Sequence, residues 1–305
     1  MTSAPDISVH HHLGYDPIAA NMLQRVGGKG YAGPVVHDGT HTWRAVHTQD
    51  GPGTVRIRPT ATGANVDGWG PGAAIAVGLV PDLLGVRDDP AKLVAHHDVV
   101  RQIIKARRFD RMTRTNSVWE HLVPVILGQK VPVASARKSW QGILKLWGST
   151  APGPGPDHLV LGPAASQLAG LAYHDFHRFD VERKRATVII NAAKRANRLE
   201  EAVDMNPIEA RRRLEALPGI GPWTSSIVSQ LALGDPDAVI VGDYNLPNTV
   251  AWVLAGERTG DDTRMLELLE PYRGQRARVQ GLLKLGGSRR ERRGPKLDLP
   301  DLSNR

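Results

Sequence analysis

The sequence predicts a mainly α-helical protein preceded by a small α+β domain. Apolar residues follow helical spacing almost throughout residues 90–285, whereas short β-like runs separated by glycine-rich turns fill the region before about residue 89. The composition, with 41% hydrophobic and 23% charged residues, is that of an ordinary globular chain. At 305 residues the chain has enough length for a large core and two or three domains.

The first predicted domain covers residues 1–89, a region rich in Gly, Thr and Val. Its β-like runs are GPVVH (33–37), HTWRAVHT (41–48) and GTVRIRPT (53–60). Glycine and polar residues separate these runs, as the turns of a small sheet require. The apolar segment PGAAIAVGLVPDLLGV (71–86) then predicts a helix, which ends at the RDDP that follows it.

The second predicted domain, residues 90–285, is a series of helices. NSVWEHLVPVILGQKVPVASARKSWQGILKLWG (116–148) predicts two amphipathic helices joined by a GQKVP loop, and Asn116 or Ser117 can cap the first of them. A glycine- and proline-rich linker is expected at 148–156. The further predicted helices are 163–174, 181–199 and 206–217.

The charge and the absence of cysteine narrow the function classes. Without cysteine the chain has no disulfide, thiolate zinc site, cysteine-ligated iron–sulfur cluster or cysteine nucleophile. A formal net charge of +8 favours a polyanionic partner such as nucleic acid. The charged tail, residues 286–305, is expected to be basic and disordered, either attracting phosphates nonspecifically or simply solvated.

We expect a cytoplasmic, nucleoid-associated protein with no membrane partner. No apolar run approaches the length of a membrane span, and the first residues, MTSAPDISVHHHLGYDP, lack the basic-then-apolar pattern of a signal peptide. The histidine groups HHH (10–12) and HDFH (174–177) are not paired with cysteine or carboxylate groups at a metal-ligand spacing, so we predict no metal site.

The segment LPGIGPWTSSI (217–227) breaks sharply between two helical patterns. Gly219 and Gly221 permit positive φ and carry no Cβ, so the chain can turn and begin a new helix at once. The first amides of that helix point outward with the positive end of the helix dipole behind them, which makes an anion site that fits a DNA phosphate. Ile220 is expected to face inward and hold the two helices together. The alternative is a plain turn that binds no ligand.

LPGIGPWTSSIVSQLALGDPDAVIVGD (217–243) resembles the helix-hairpin-helix Gly/Pro–Asp superfamily of DNA glycosylases, and within it the 3-methyladenine DNA glycosylase II (AlkA-type) branch. The family pattern is a hairpin, its second helix, a Gly/Pro-containing loop and one catalytic aspartate, which falls here at Asp243. The other similar segments are WEHLVPVILGQKV (119–131), FHRFDVERKRATVIINAA (176–193) and EPYRGQRARV (270–279). The resemblance covers about residues 71–285 and implies a two-lobe helical glycosylase domain behind the small α+β domain.

Asp243 is the candidate catalytic residue. A glycosylase breaks the bond between base and sugar, and a carboxylate can stabilise the oxocarbenium-like sugar or orient the attacking water. The alternative role, as N-cap of the helix in YNLPNTVAWVLAG (244–256), is compatible with catalysis because a capping carboxylate is held ionised and fixed. Asp235 and Asp237 lie in the turn sequence GDPDA and are expected to be structural.

The residue after the hairpin decides the expected reaction. In the bifunctional glycosylase/lyases of the family a lysine there forms a Schiff base with the sugar, whereas this chain has Trp223, whose indole cannot be a nucleophile. The resemblance therefore implies monofunctional hydrolysis, with Trp223, Tyr244 and Leu269 around the extruded base. Leu269 stands where the pattern has a second pocket tryptophan, so the pocket should stack a base less strongly. A buried structural role is the alternative for Trp223.

The resemblance also implies a set of DNA contacts. Gln129 and Lys130 lie in the loop where the family places the wedge that fills the gap left by the extruded base, although the AlkA-type pattern has an apolar wedge. The remaining predicted DNA-binding residues are Leu217, Gly219, Ile220, Gly221, Thr224 and Arg273. The expected partner is double-stranded DNA containing damaged bases, bound by a monomer that needs no cofactor.

Three functions stay open at this point. The first is a monofunctional glycosylase for alkylated purines in base-excision repair. The second is a glycosylase of the same fold for a bulky or natural-product adduct, which Leu269 favours slightly. The third is a noncatalytic helix-hairpin-helix DNA-binding protein. Asp243 argues against the third function, because a binding protein gains nothing from a carboxylate near DNA.

Overall fold

The computed structural model describes residues 4–17, 32–107 and 110–286. The predicted basic tail lies outside the described residues from 287 onward.

Contacts within the chain divide the described residues into two compact units. Unit 1 holds the described residues up to 87 together with 126–196, and unit 2 holds those of 88–125 and 197–286. The chain first passes from unit 1 to unit 2 between residues 87 and 88, close to the predicted boundary near residue 89. The return to unit 1 at residue 126 falls inside a helix, so no local break in the sequence pattern indicates it.

Unit 1 contains a five-stranded antiparallel sheet. The strands are β1 (Ile7–His12), β2 (Val35–His37), β3 (Thr42–Thr48), β4 (Gly51–Thr60) and β5 (Gly63–Trp69), in the order β1-β5-β4-β3-β2. Valine and isoleucine side chains that alternate along these strands bury one face of the sheet against two short helices, α1 (Ala73–Gly78) and α2 (Val80–Leu83). The predicted combination of an N-terminal sheet with helices is confirmed.

Three local features of unit 1 are not predicted by the sequence. The HHH run is the end of strand β1, where His10 Nδ1 lies 2.8 Å from Asn65 Oδ1. The helix predicted over 71–86 is divided into α1 and α2, because Pro81 has no N–H to continue the helical hydrogen bonds. The predicted linker at 148–156 packs on the sheet: a Cβ at Gly153 would lie 2.5 Å from the Trp69 ring.

The remaining secondary structure is helical apart from one two-stranded sheet, β6 (Ser149–Thr150) with β7 (Val160–Leu161), among the described residues. The helices are α3 (Asp98–Arg107), α4 (Trp119–Leu127), α5 (Val133–Trp147), α6 (Ala165–Ala169), α7 (Arg183–Ala193), α8 (Ala196–Glu200), α9 (Pro207–Glu215), α10 (Pro222–Leu233), α11 (Leu246–Ala255), α12 (Asp262–Leu269) and α13 (Arg276–Gly286). None of the described helices is long and apolar enough to cross a membrane.

The core of unit 2 is formed where α3, α11, α12 and α13 pack together. Its buried side chains are Val100, Ile103, Val239, Leu246, Val250, Met265, Leu269, Tyr272, Val279, Leu282 and Leu283. The mainly helical character predicted from apolar spacing is thereby confirmed.

The start of α4 is capped by a residue that its own sequence does not indicate. Ser117, one of the two predicted caps, accepts only a long hydrogen bond of 3.4 Å from the amide of Glu120. The carboxylate of Glu200 accepts shorter bonds from the amides of Val118 (2.8 Å) and Trp119 (2.7 Å). Burial raises the pKa of Glu200, although these hydrogen bonds act in the opposite direction.

Candidate active site

The segment LPGIG joins α9 to α10 in a tight hairpin. Pro222 occupies the first turn of α10, where its missing N–H costs no helical hydrogen bond, and Gly221 is the N-cap residue. Gly219 has a φ of +95°, as predicted, because only glycine adopts this conformation without strain. Gly221 does not use the positive φ that glycine permits: its φ is −108°, which any residue adopts, and a Cβ there would meet open space.

The side chains inside the hairpin hold it together. Leu217 and Ile220 are each only 4% exposed, and Thr224 is 1% exposed. Ser225 Oγ donates a 2.6 Å hydrogen bond to the carboxylate of Glu215, which ties α10 to α9. Ile220 faces inward, as expected. The side chains of Leu217, Ile220 and Thr224 are therefore buried, and any DNA contact at these predicted positions would have to use their backbone groups.

Asp235 and Asp237 brace the turn that follows α10. Buried Asp235 accepts hydrogen bonds from Ser229 Oγ (3.1 Å) and the amide of Asp237 (2.9 Å), and it forms an ion pair with Arg211 of α9. Asp237 bonds the amides of Gly274 and Arg276 and the Arg276 guanidinium. Burial alone would raise the pKa of Asp237, but the hydrogen bonds from Arg276 hold it below its ordinary value. These contacts agree with the predicted structural role.

Asp243 lies in the loop before α11 and uses its two carboxylate oxygens differently. Oδ1 accepts hydrogen bonds from the amides of Asn245 (2.8 Å) and Leu246 (2.9 Å), so it caps α11. Oδ2 lies 3.5 Å from the indole Nε1 of Trp223, which is the outer limit of a hydrogen bond. Because a carboxylate oxygen has two lone pairs, Oδ2 retains acceptor capacity. The side chain is half-buried. The N-cap role therefore leaves one oxygen available for chemistry.

The three predicted pocket residues have different environments. Trp223 is half-buried and directs its indole N–H at Asp243, while Tyr244 is 89% exposed. Leu269 is completely buried in the core of unit 2 beside Met265 and Tyr272. Leu269 therefore presents no surface to a base in this structure. Of these three residues, Trp223 is the one whose side chain contacts the carboxylate of Asp243 in the described part of the chain, with 3.5 Å between its Nε1 and Oδ2.

The loop between α4 and α5 carries the two predicted wedge residues. Lys130 is exposed and has a left-handed φ of +56°, which is strained for a side chain other than glycine. Gln129 is half-buried, and its amide bonds the carbonyl of Ile126 at 3.1 Å. Arg185, which the sequence did not single out, is 6% exposed and donates a 2.8 Å bond to the carbonyl of Leu127, the last residue of α4. Arg185 therefore fixes the helix end from which the loop starts.

Arg273 lies beyond the end of the 3-10 helix Glu270–Tyr272. Its guanidinium is exposed and bonds the carboxylate of Glu270 at 2.8 Å and 2.5 Å. An exposed ion pair of this kind contributes little to stability, so Arg273 can exchange Glu270 for another anion at small cost.

No protein-family model matches the chain. The probable bifunctional transcriptional activator/DNA repair enzyme AlkA of Mycobacterium tuberculosis is 28% identical over 173 residues, which are 54% of this chain and 34% of the relative. The DNA-3-methyladenine glycosylase of Bacillus subtilis is 25% identical over 174 residues, 55% of this chain and 57% of the relative. The chain thus spans about a third of the length of the first and just over half of the second.

Solved structures share the fold over most of the chain. The 3-methyladenine DNA-glycosylase from Archaeoglobus fulgidus has a TM-score of 0.72 at 19% identity and covers 92% of this chain and 97% of its own. The Schizosaccharomyces pombe 3-methyladenine DNA glycosylase, solved in complex with abasic DNA, has a TM-score of 0.53 at 13% identity and covers 66% and 98%. The chain therefore has the fold of these 3-methyladenine glycosylases, and over about half of its length it is distantly similar in sequence to the two relatives.

Proposed function

We propose that the chain is a DNA glycosylase of the 3-methyladenine type, which removes a damaged base in base-excision repair with Asp243 as its catalytic carboxylate. The observation that carries the proposal is that the two carboxylate oxygens of Asp243 have different partners. Oδ1 is fixed by the two amides at the start of α11, and Oδ2 faces Trp223 with acceptor capacity to spare. A carboxylate held in this way is preorganised for a cation that develops beside it.

The reaction uses water as the only co-reactant. The bond between C1′ of the sugar and the base nitrogen breaks, and its electron pair leaves with the base. Oδ2 of Asp243 stabilises the positive charge that builds on the sugar. A water oxygen then bonds C1′, and the proton that the water loses passes to the carboxylate. The products are the free base and an intact abasic strand.

Trp223 supports this assignment in two ways. Its indole offers a flat surface on which an extruded base can stack. It also stands at the position where a lysine would attack the sugar, and an indole forms no Schiff base. The proposed activity is therefore hydrolysis without strand cleavage.

The proposed partner is double-stranded DNA that contains a damaged base, bound by a single copy of the chain. The first turn of α10 supplies amides and the positive end of a helix dipole for one phosphate. The open space beside Gly221 leaves room for that phosphate to approach the backbone. The net charge of +8 favours the same polyanion. The exposed side chains of Lys130 and Arg273 are the proposed further contacts.

Alkylated purines are the proposed substrates, because the relatives in sequence and fold are 3-methyladenine glycosylases by name. A bulky or natural-product adduct is the second candidate. The leucine at position 269 favours it, because the family pattern has a second tryptophan there that could stack on an alkylated base. A panel of duplexes, each with one defined lesion, separates the two when the free base is measured. Release of an alkylated purine supports the first, release of only the adduct supports the second, and release from no duplex contradicts the proposed activity.

A further inference from the structure

The stretch that leads to Asp243, residues 238–242, belongs to no helix or strand. Its backbone is nevertheless bonded at every second residue by a side chain from a different helix. The contacts are Gln230 Nε2 of α10 to the carbonyl of Ala238 (2.7 Å), the Gln280 amide of α13 to both N and O of Ile240 (3.0 Å each), and the amide of Gly242 to Asp262 Oδ2 of α12 (2.8 Å). These three side chains take the place of a neighbouring strand.

The last of these contacts lies directly before the candidate catalytic residue. Gly242 has a φ of +77°, and a Cβ at this position would meet nothing within 4 Å. The glycine is therefore required by the direction of the chain and not by packing. The amide that Asp262 holds is that of Gly242, so this bond fixes the peptide between Val241 and Gly242, one residue before Asp243.

Asp262 does not have the ordinary role of an acidic residue at a helix start. Its neighbour Asp261 caps α12, accepting the amide of Arg264 at 2.8 Å. The second carboxylate oxygen of Asp262, Oδ1, is buried and has no hydrogen-bond partner among the described residues. A buried oxygen without a partner costs free energy, and such costs are concentrated at functional sites. Asp262 thus keeps one oxygen buried at a cost in free energy, while its other oxygen accepts the hydrogen bond from the Gly242 amide.

We infer that Asp262 is a positioning residue for Asp243. The inference rests on the proposed function, in which Oδ2 of Asp243 must lie beside C1′. Asp262 fixes the Gly242 amide on one side of Asp243, and the α11 amides fix Oδ1 on the other. Between these two points the carboxylate has little freedom to turn. Loss of the Asp262 bond releases one of them and lets Oδ2 move away from the reacting carbon.

The test compares Asp262→Ala with Asp262→Asn and with the matched control Asp261→Ala. Asp262→Ala should lower the rate of base release at saturating enzyme roughly 10- to 100-fold, with affinity for lesion DNA unchanged. Asp262→Asn should restore most of the rate, because its amide oxygen can still accept the Gly242 N–H. Asp261→Ala removes the cap of α12 and should lower the melting temperature without lowering the rate. A full rate in Asp262→Ala, or equal loss in all three variants, overturns the inference.

Hydrogen exchange tests the same bond without any activity. The Gly242 amide should exchange faster in Asp262→Ala than in the wild-type chain and in Asp261→Ala. Equal exchange in all three overturns the inference even if base release falls. If the wild-type chain releases no base from any duplex, the proposed function fails. In that case the exchange measurement still decides whether Asp262 holds the segment that leads to Asp243.

Discussion

The backbones of strand β4 and of the irregular segment 238–242 are held by different groups. β4 pairs with β3 on one side and with β5 on the other, so its partners are backbone groups that every residue type except proline carries in full. Residues 238–242 are bonded by the side chains of Gln230, Gln280 and Asp262. One substitution on a distant helix can therefore remove a backbone partner near Asp243, whereas the ladder of β4 survives any substitution that keeps its shape.

The largest expected effect is on base release, from a substitution at Asp243, the residue that follows segment 238–242. Asp243→Asn keeps the shape and an oxygen for the α11 amides, but removes the charge that stabilises the sugar cation. Base release should fall by roughly two to four orders of magnitude. Binding to lesion DNA should survive or tighten slightly, because one negative group near the phosphates is lost. Single-turnover release and a binding titration measure the two quantities separately.

The products of the wild-type chain are the control for this variant. The strand should remain intact until alkali is added, and borohydride should trap no covalent complex. Activity retained in Asp243→Asn would place the catalytic group elsewhere. Trapping by borohydride would show that a lysine attacks the sugar, which would contradict the role given to Trp223.

The comparison between β4 and residues 238–242 can also be tested by the free energy of unfolding, with substitutions at two buried polar side chains, Gln280 and Thr54. Gln280 is 2% exposed, and Gln280→Leu leaves the N–H and C=O of Ile240 without their partner. This should lower the free energy of unfolding by about 2 kcal/mol. Thr54 of β4 is fully buried, and its hydroxyl has no partner among the described residues. Thr54→Val keeps the ladder and should be neutral or stabilising by up to about 1 kcal/mol.

Urea unfolding of both variants against the wild-type chain measures these differences. Equal destabilisation by Gln280→Leu and Thr54→Val would contradict the distinction between a backbone held by a strand ladder and one held by side chains. The two positions are well matched, because both side chains are buried and both substitutions replace a polar group with an apolar one of similar size.

The same distinction explains which features the sequence predicts. The strands β3 and β4 and the hairpin are visible in short patterns: alternation, glycine in turns, and proline at a helix start. The candidacy of Asp243 follows from the resemblance to the family pattern, which has one aspartate after the second helix of the hairpin. These features depend on neighbouring residues, so a local pattern contains the information.

Contacts between distant residues leave no such pattern. Glu200 lies 82 residues from Val118, whose amide it caps, and Gln280 lies 40 residues from Ile240. Leu269 shows the opposite failure, because a position inferred from the family pattern lies in the core of this chain. Tertiary packing decides these cases, and it also turns the predicted linker at 148–156 into part of the sheet's packing.

The hairpin presents a third kind of backbone, one whose turn depends on a glycine with a positive φ, Gly219. Gly219→Asp introduces strain at a φ of +95° and a negative charge where a phosphate is proposed to bind. Affinity for undamaged duplex should fall, and the slope of log K against log salt should lose about 0.9 for each phosphate contact that is lost. Gly219→Asn is the matched control, because asparagine has the same shape, tolerates this φ better and carries no charge. Equal salt slopes in the wild-type chain and Gly219→Asp would contradict a phosphate contact.

The smallest effect is expected at Glu200, where a side chain again holds backbone amides, at the start of α4. Burial raises the pKa of Glu200 above its ordinary 4.5 in the folded state. The folded chain therefore binds a proton more readily than the unfolded chain does. The stability that this proton contributes is fully present below pH 4.5 and is lost as the pH rises through the folded pKa.

Glu200→Gln removes this dependence because its amide stays neutral at every pH. Each unit by which the folded pKa is raised changes the free energy of unfolding by about 1.4 kcal/mol across that window. Urea unfolding at weakly acidic and at neutral pH should therefore show the wild-type chain losing stability relative to Glu200→Gln as the pH rises. A difference that stays constant with pH would mean that hydrogen bonds from Val118 and Trp119 fully offset the burial of the carboxylate. In that case a buried carboxylate that accepts hydrogen bonds from backbone amides would not lower the free energy of unfolding. The buried Oδ1 of Asp262 would then also be expected to cost less stability.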